Sequence, residues 1–107
     1  MEELSLHILD IVENSVSAGA TLVEIRIEYR FGEKPWLTIT VRDNGRGMSP
    51  EVAGRVSDPF YTTRTTRKVG LGTALFRQTA ELAGGSFRVW SEPGKGTEVT
   101  AELNPLH

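Results

Sequence analysis

Along residues 4–18, Leu4, Ile8, Ile11, Val12 and Ser15 recur on one side at helical spacing, and Gly19 stands at the stop position. That spacing predicts an amphipathic helix. The period then changes. Over 22–30, Val23, Ile25, Ile27 and Tyr29 alternate with Glu24, Arg26, Glu28 and Arg30, as in a strand buried on one face. Gly32 to Pro35 reads as a turn, and 36–42 alternates again with Leu37, Ile39 and Val41 inward, so 22–42 is expected to be a hairpin. A short helix is expected to start at Ser49-Pro50-Glu51, where serine suits the cap and proline the first turn. Residues 57–69 are polar and rich in Thr and Arg. They read as a long loop, which in a small domain is usually functional. Residues 71–83 read as a second helix, with Leu71, Leu75, Gln78/Thr79 and Leu82 at helical spacing and Gly84-Gly85 ending it. Residues 86–91 and 97–103 read as a last strand pair joined by Glu92-Pro93-Gly94-Lys95-Gly96. Hairpin strands with separate helices define the α+β class, one sheet with helices on one face.

Composition narrows the function classes. A length of 107 residues suits one domain, taken as 1–107. With 38% hydrophobic and 24% charged residues the chain is in the ordinary globular range. A formal charge of −2 gives no global attraction to nucleic acid or to an anionic membrane, so neither is expected as a partner. The absence of cysteine excludes disulfides, thiolate metal sites and cysteine nucleophiles. No apolar run approaches the roughly 20 residues of a membrane span, and the first residues do not read as a signal peptide. The expected location is the cytoplasm.

Four segments could carry chemistry. In the first helix Asp10, Asn14 and Ser17 fall within roughly 60° of one another at i, i+4 and i+7, with His7 at the edge of that stripe. An acid, an amide and a hydroxyl on one stripe read either as a solvated face or as part of a site. Asp43-Asn44-Gly45-Arg46-Gly47-Met48 follows a strand. It reads either as a turn or as a purine site, since a carboxylate accepts from the exocyclic amine of adenine, where guanine has an acceptor. Asp58-Pro59-Phe60-Tyr61-Thr62-Thr63-Arg64 leads through Arg67 and Lys68 to Gly70-Leu71-Gly72 at the expected start of a helix. Free N–H groups there suit a phosphate chain. Gly94-Lys95-Gly96-Thr97 lacks the spacing of a P-loop and reads as a hairpin turn, with the Thr97 hydroxyl placed to meet a ligand.

In this order, over about Leu4 to Leu103, the segments resemble the GHKL superfamily of histidine kinases, gyrase-type ATPases and mismatch-repair ATPases. Glu13-Asn14-Ser15-Val16-Ser17-Ala18-Gly19-Ala20-Thr21 is similar to the N-box, and Asp43 to Met48 to the G1 box. Asp58 to Arg64 is similar to the F-box, and Gly70-Leu71-Gly72-Thr73 to the G2 box. The tail from Ala83 to Thr97 is also similar to histidine-kinase catalytic domains. The resemblance implies a two-layer Bergerat-type α/β sandwich, its mixed, mostly antiparallel sheet covered on one face by helices. It also implies ATP and Mg²⁺ as cofactors. By resemblance, Asn14 is the Mg²⁺ ligand, Asp43 reads adenine, Gly47 lets the base sit close, and Thr97 helps hold it. Gly70 and Gly72 take the hinge and phosphate-facing lid positions, with Arg64, Arg67 and Lys68 as lid cations. Gly45, Met48, Phe60, Thr62, Thr63 and Leu71 complete the implied nucleotide site.

Two positions depart from the family pattern. Asp10 stands where hydrolytic members carry a glutamate as general base, one methylene longer. Ser17 stands where a charged residue is commoner. Asp10 is the expected catalytic base, with Glu13 about 60° away around the helix. The chain opens on the N-box helix, so a self-contained sensor kinase is not expected, and His7 is expected at the helix surface or site edge rather than as a phosphoacceptor. The expected function is phosphoryl transfer to a partner protein, or slow hydrolysis of ATP. The alternatives are a nucleotide-gated interaction module without significant turnover, and an inactive scaffold or a fragment of a longer kinase.

Overall fold

A computed structural model describes residues 2–49, 51 and 68–105, with backbone alone at residues 2, 3 and 68–72. Its elements are α1 (Glu2–Ser17), β1 (Val23–Arg30), β2 (Trp36–Asp43), α2 (Lys68–Leu82), β3 (Ser86–Glu92) and β4 (Gly96–Leu103). The four strands form one sheet in the order β1-β2-β4-β3, and all three pairings are antiparallel. The sequence hairpins appear as β1–β2 and β3–β4. β4 then inserts beside β2, so Asp43 at the end of one hairpin is paired with Thr97 at the start of the other's second strand. The short helix expected at Ser49-Pro50-Glu51 and the loop expected over 57–69 lie largely outside the described residues.

The core lies between the two helices and the centre of the sheet. Leu37, Ile39 and Val41 of β2 and Val99, Ala101 and Leu103 of β4 meet Leu4 and Ile11 of α1 and Phe76, Ala80 and Ala83 of α2 and its end. Burial of this kind stabilises by roughly 25 cal/mol per Å² of apolar surface removed from water. The expected stripe of α1 is the buried one: Leu4, Ile11 and Ser15 are inside, and Ile8 and Val12 are partly covered. Both helices end in the same way, with a backbone bond spanning five residues, Ala20 N to Ser15 O and Gly85 N to Ala80 O.

Two expectations need correction. The first concerns β1. Its apolar row was expected to be buried, yet Ile25, Ile27 and Tyr29 are exposed. α1 lies over β2 rather than over β1, so the row shares the core face of the sheet without a layer above it. The second concerns α2. It begins at Lys68, three residues before the expected start, and its buried face is Thr73, Ala74, Phe76 and Ala80, whereas Leu75 and Leu82 are exposed. Small residues let α2 sit close to α1 and the sheet around Phe76, while Leu75 and Leu82, which helped suggest the helix, face outward. Among the described residues no helix is long and apolar enough to cross a membrane.

Candidate functional site at the end of the central strands

Asp43 ends β2, where the alternation of the strand leaves it half-buried. Three groups from three different segments hold its carboxylate. Ser15 Oγ of α1 donates to Oδ2 at 2.6 Å, and the backbone N–H groups of Gly45 and Thr97 donate to Oδ1 at 2.8 and 3.2 Å. The Ser15 hydroxyl has one hydrogen and also lies 3.2 Å from Ile11 O. The shorter, charge-assisted contact to Asp43 is the stronger use of it. A carboxylate offers about four lone-pair sites, so three donors fix its orientation and leave capacity for one more.

Asn14, the residue before Ser15, turns its amide nitrogen to Thr73 Oγ1 of α2 at 3.3 Å. Asp43 is thus tied to Ser15 of α1, and Asn14, the preceding residue of that helix, to α2. Asp10 stands one turn before Asn14 and is half-buried, whereas Glu13 is exposed. His7, expected at the helix surface or site edge, is half-buried against α2. Its Nε2 meets Thr79 Oγ1 at 2.9 Å, and its ring stacks on Phe76 with centroids 5.1 Å apart. The stripe expected to face away from the apolar side thus packs in part against α2.

The glycine-rich loop after β2 is shaped by contacts within the protein. Gly47 has φ +73°, and a Cβ there would collide with the carbonyl of Glu92. Gly96, at φ +116°, packs its Cα against the carbonyl of Asp43 in the same manner. The two glycines thus let the 43–48 loop and the 92–96 turn interlock, sealed by Gly94 N to Arg46 O at 2.7 Å. At Gly45 a Cβ would come within 3.1 Å of Asp43 Oδ1, so a side chain there would crowd the carboxylate. Asn44 clamps the loop after α1, accepting from Thr21 N and Leu22 N and donating to Thr21 Oγ1.

Two site residues escaped the sequence reading. Ser15 was taken as one more position of the apolar stripe, yet it orients Asp43. A hydroxyl within a core stripe was the available signal. Ser91, buried at the inward position of β3 after Phe87 and Val89, accepts from Met48 N at 2.7 Å and donates to Gly96 O at 2.9 Å. Its single hydrogen is then spent, so the 2.8 Å contact with Thr97 Oγ1 is donated by Thr97. That network ties the Met48 backbone and the Thr97 hydroxyl to β3, while the Thr97 backbone N–H holds the Asp43 carboxylate.

Lys68, Gly70, Leu71 and Gly72 fall in the first turns of α2, which has no acidic residue in its first turn. The first four N–H groups of a helix have no acceptor within it, and here they belong to residues 68–71. Phe60, Thr62, Thr63, Arg64 and Arg67 lie outside the described residues. Among the described residues no three His, Cys, Asp or Glu side chains cluster as a metal site.

An α+β domain with a carboxylate fixed at the end of its central strands and one acceptor site open suits the binding of a nucleotide base. The chain belongs to the histidine kinase-, DNA gyrase B- and HSP90-like ATPase family, whose model matches residues 2–107. It is 31% identical over 98 residues to the sensor histidine kinase DcuS of Escherichia coli (strain K12), a match covering 88% of this chain and 17% of DcuS. It is 34% identical over 96 residues to the sensor protein kinase FleS of Pseudomonas aeruginosa, covering 90% of this chain and 23% of FleS. The chain thus spans about a sixth to a quarter of the length of these relatives. The fold is also that of a crystal structure of full-length ShkA in complex with AMPPNP, with TM-score 0.68, 24% identity, and coverage of 95% of this chain and 21% of that one.

Proposed function

We propose that the chain acts as a single ATP–Mg²⁺-binding domain that supports transfer of the γ-phosphoryl group to a partner protein or, slowly, to water. The observation that carries this reading is the Asp43 carboxylate, held by Ser15, Gly45 and Thr97 with capacity for one further donor. That donor is the exocyclic amine of adenine, with the Thr97 hydroxyl and the Met48 backbone at its side. Asn14 offers its amide oxygen to the metal, which neutralises charge on the phosphates when bound. The N-terminal amides of α2 suit the phosphate chain, and Arg64, Arg67 and Lys68 are the candidate cations for it. Asp10, one turn from Asn14, accepts the proton of the attacking group. Catalysis of this kind rests on positioning and electrostatics. The AMPPNP bound to ShkA and the kinase activity in the names of DcuS and FleS agree with the reading, and ATP as the ligand suits a cytoplasmic location.

The test is nucleotide affinity and phosphate release on purified protein with ATP–Mg²⁺. Asp43→Asn removes a charged hydrogen-bond acceptor and is expected to weaken ATP binding by more than about 1 kcal/mol; unchanged affinity would sink the adenine assignment. Release abolished by Asp10→Asn but retained in Glu13→Gln supports Asp10 as the base, and the reverse pattern moves that role to Glu13. Tight binding without release, alone or with cell extract, identifies a nucleotide-gated interaction module instead.

A further inference from the structure

β1 lies at an edge of the sheet, and its outward N–H and C=O groups form a template for another strand. Of the devices that usually blunt such an edge it carries one, charged side chains on a single face, and lacks the others. Val23–Arg30 contains no proline, glycine or lysine. Its eight residues pair with β2 in unbroken register, without a bulge. Above this edge the row Ile25, Ile27 and Tyr29 is uncovered, at 49, 58 and 41% exposure, and continues into Phe31 at 84%. The sequence of the strand, Val-Glu-Ile-Arg-Ile-Glu-Tyr-Arg, is also complementary to itself when reversed.

We propose that a second copy of this chain occupies the β1 edge, antiparallel about a two-fold axis at Ile27, joining two four-stranded sheets into one. In that register Ile27 faces the partner's Ile27, and Ile25 faces the partner's Tyr29. Val23 faces the partner's Phe31, so the uncovered apolar rows meet at cross-strand distance on the helix side of the sheet. On the other side Glu24 faces the partner's Arg30, and Arg26 faces the partner's Glu28. Every charge of the strand meets its opposite, and the two-fold doubles each pair. Sliding either way by two residues sets like charges against each other, Arg26 against the partner's Arg26 or Glu28 against the partner's Glu28. A slip by one residue turns the two apolar rows to opposite faces. One register alone thus satisfies both faces along the whole strand. Such an isologous contact closes on itself and leaves no growing edge at β1.

The test is the mass of the chain in solution by light scattering or sedimentation, read with charge exchanges at positions 26 and 28. Both positions oppose threonines of β2, Thr40 and Thr38, so exchanges there leave the pairing within the chain intact. The mass of two chains is expected for the wild type, falling to that of one chain in Arg26→Glu and returning to two in Arg26→Glu/Glu28→Arg. A wild type that stays monomeric at high concentration overturns the proposal. So does a dimer that survives Arg26→Glu, or one that the double exchange fails to restore. Since the chain has no cysteine, Ile27→Cys gives an independent reading. Oxidation should link two copies through position 27, where the residue faces itself, but not through Glu24→Cys, which faces the partner's Arg30. Linking at 24 without linking at 27 rejects the register.

Discussion

β1 and β2 carry nearly the same pattern and meet opposite fates. In each, apolar residues alternate with polar ones, and the pairing sets Ile25 against Val41, Ile27 against Ile39 and Tyr29 against Leu37 on one face of the sheet. Ile39 is 2% exposed and its neighbour Ile27 is 58% exposed. The difference lies in what covers them, because α1 and α2 stand over β2, β4 and β3 and leave β1 bare beyond Val23. Alternation therefore reports which residues share a face, but not whether a layer lies on that face. The far end of β2 adds a second contrast. There Asp43, half-buried and charged, is held by three donors, while the equally patterned edge strand has no such network. The end of β2 is tied to three segments, and the β1 edge is surface that another chain can cover.

The sharpest way to break the rigid end is at Gly96. Gly96→Ala would force φ +116° on a residue with a Cβ and drive that Cβ into the Asp43 carbonyl. Strain and overlap against backbone cannot be relieved by a rotamer change. The expected loss is about 4 kcal/mol or more of stability, measured by urea unfolding. An alanine tolerated within about 1 kcal/mol would show that the 92–96 turn is not locked to the 43–48 loop.

The next effect divides the two strands directly. Ile39→Ala removes a buried side chain packed between sheet and helices and is expected to cost about 3 kcal/mol. Ile27→Ala, measured on the dilute single chain, should cost less than about 1 kcal/mol, because its side chain is mostly in water before and after unfolding. Equal losses at the two positions would mean that β1 is covered within the chain after all. Between these two lies the change at Ser15, which is 2% exposed. Ser15→Ala deletes the 2.6 Å bond to Asp43 and should lower stability by about 2 kcal/mol, with a parallel loss of ATP affinity as the carboxylate loses its orientation. Retained affinity would leave Gly45 and Thr97 as sufficient to hold it.

Much of the architecture was legible in the residues because local rules govern it. The stripe from Leu4 to Ser15, the two hairpins and the class they define follow from periodicity and turn chemistry. The box-like segments flagged Asp43 and Thr97, which the fold pairs directly, and Asn14, whose neighbour Ser15 holds Asp43. Tertiary facts were not legible. No local pattern says that α1 rests on β2 instead of β1. None says that β4 enters between β2 and β3, and this pairing is what sets Thr97 beside Asp43. The glycines of the 43–48 loop were read as room for a base, whereas Gly47 is demanded by the carbonyl of Glu92, a residue 45 positions away. Ser91 carries no signal beyond being a hydroxyl at an inward strand position, and its importance comes from three partners that only the fold assembles.

The smallest expected effect tests the same lesson on α2. Its large apolar residues were the ones that announced a helix, yet Leu82 is 67% exposed while Ala80, two residues earlier, is wholly buried. If burial rather than residue type sets the energy, Leu82→Gln should change stability by less than about 0.5 kcal/mol, since glutamine has nearly the helix propensity of leucine. Ala80→Leu, adding volume where the helix meets the core, should cost about 1–3 kcal/mol although it makes the helix more hydrophobic. Urea midpoints of the two variants, compared at equal slope, separate the cases. A larger loss at Leu82 than at Ala80 would reverse the face assigned to α2, and with it the close contact with α1 that brings Thr73 to Asn14.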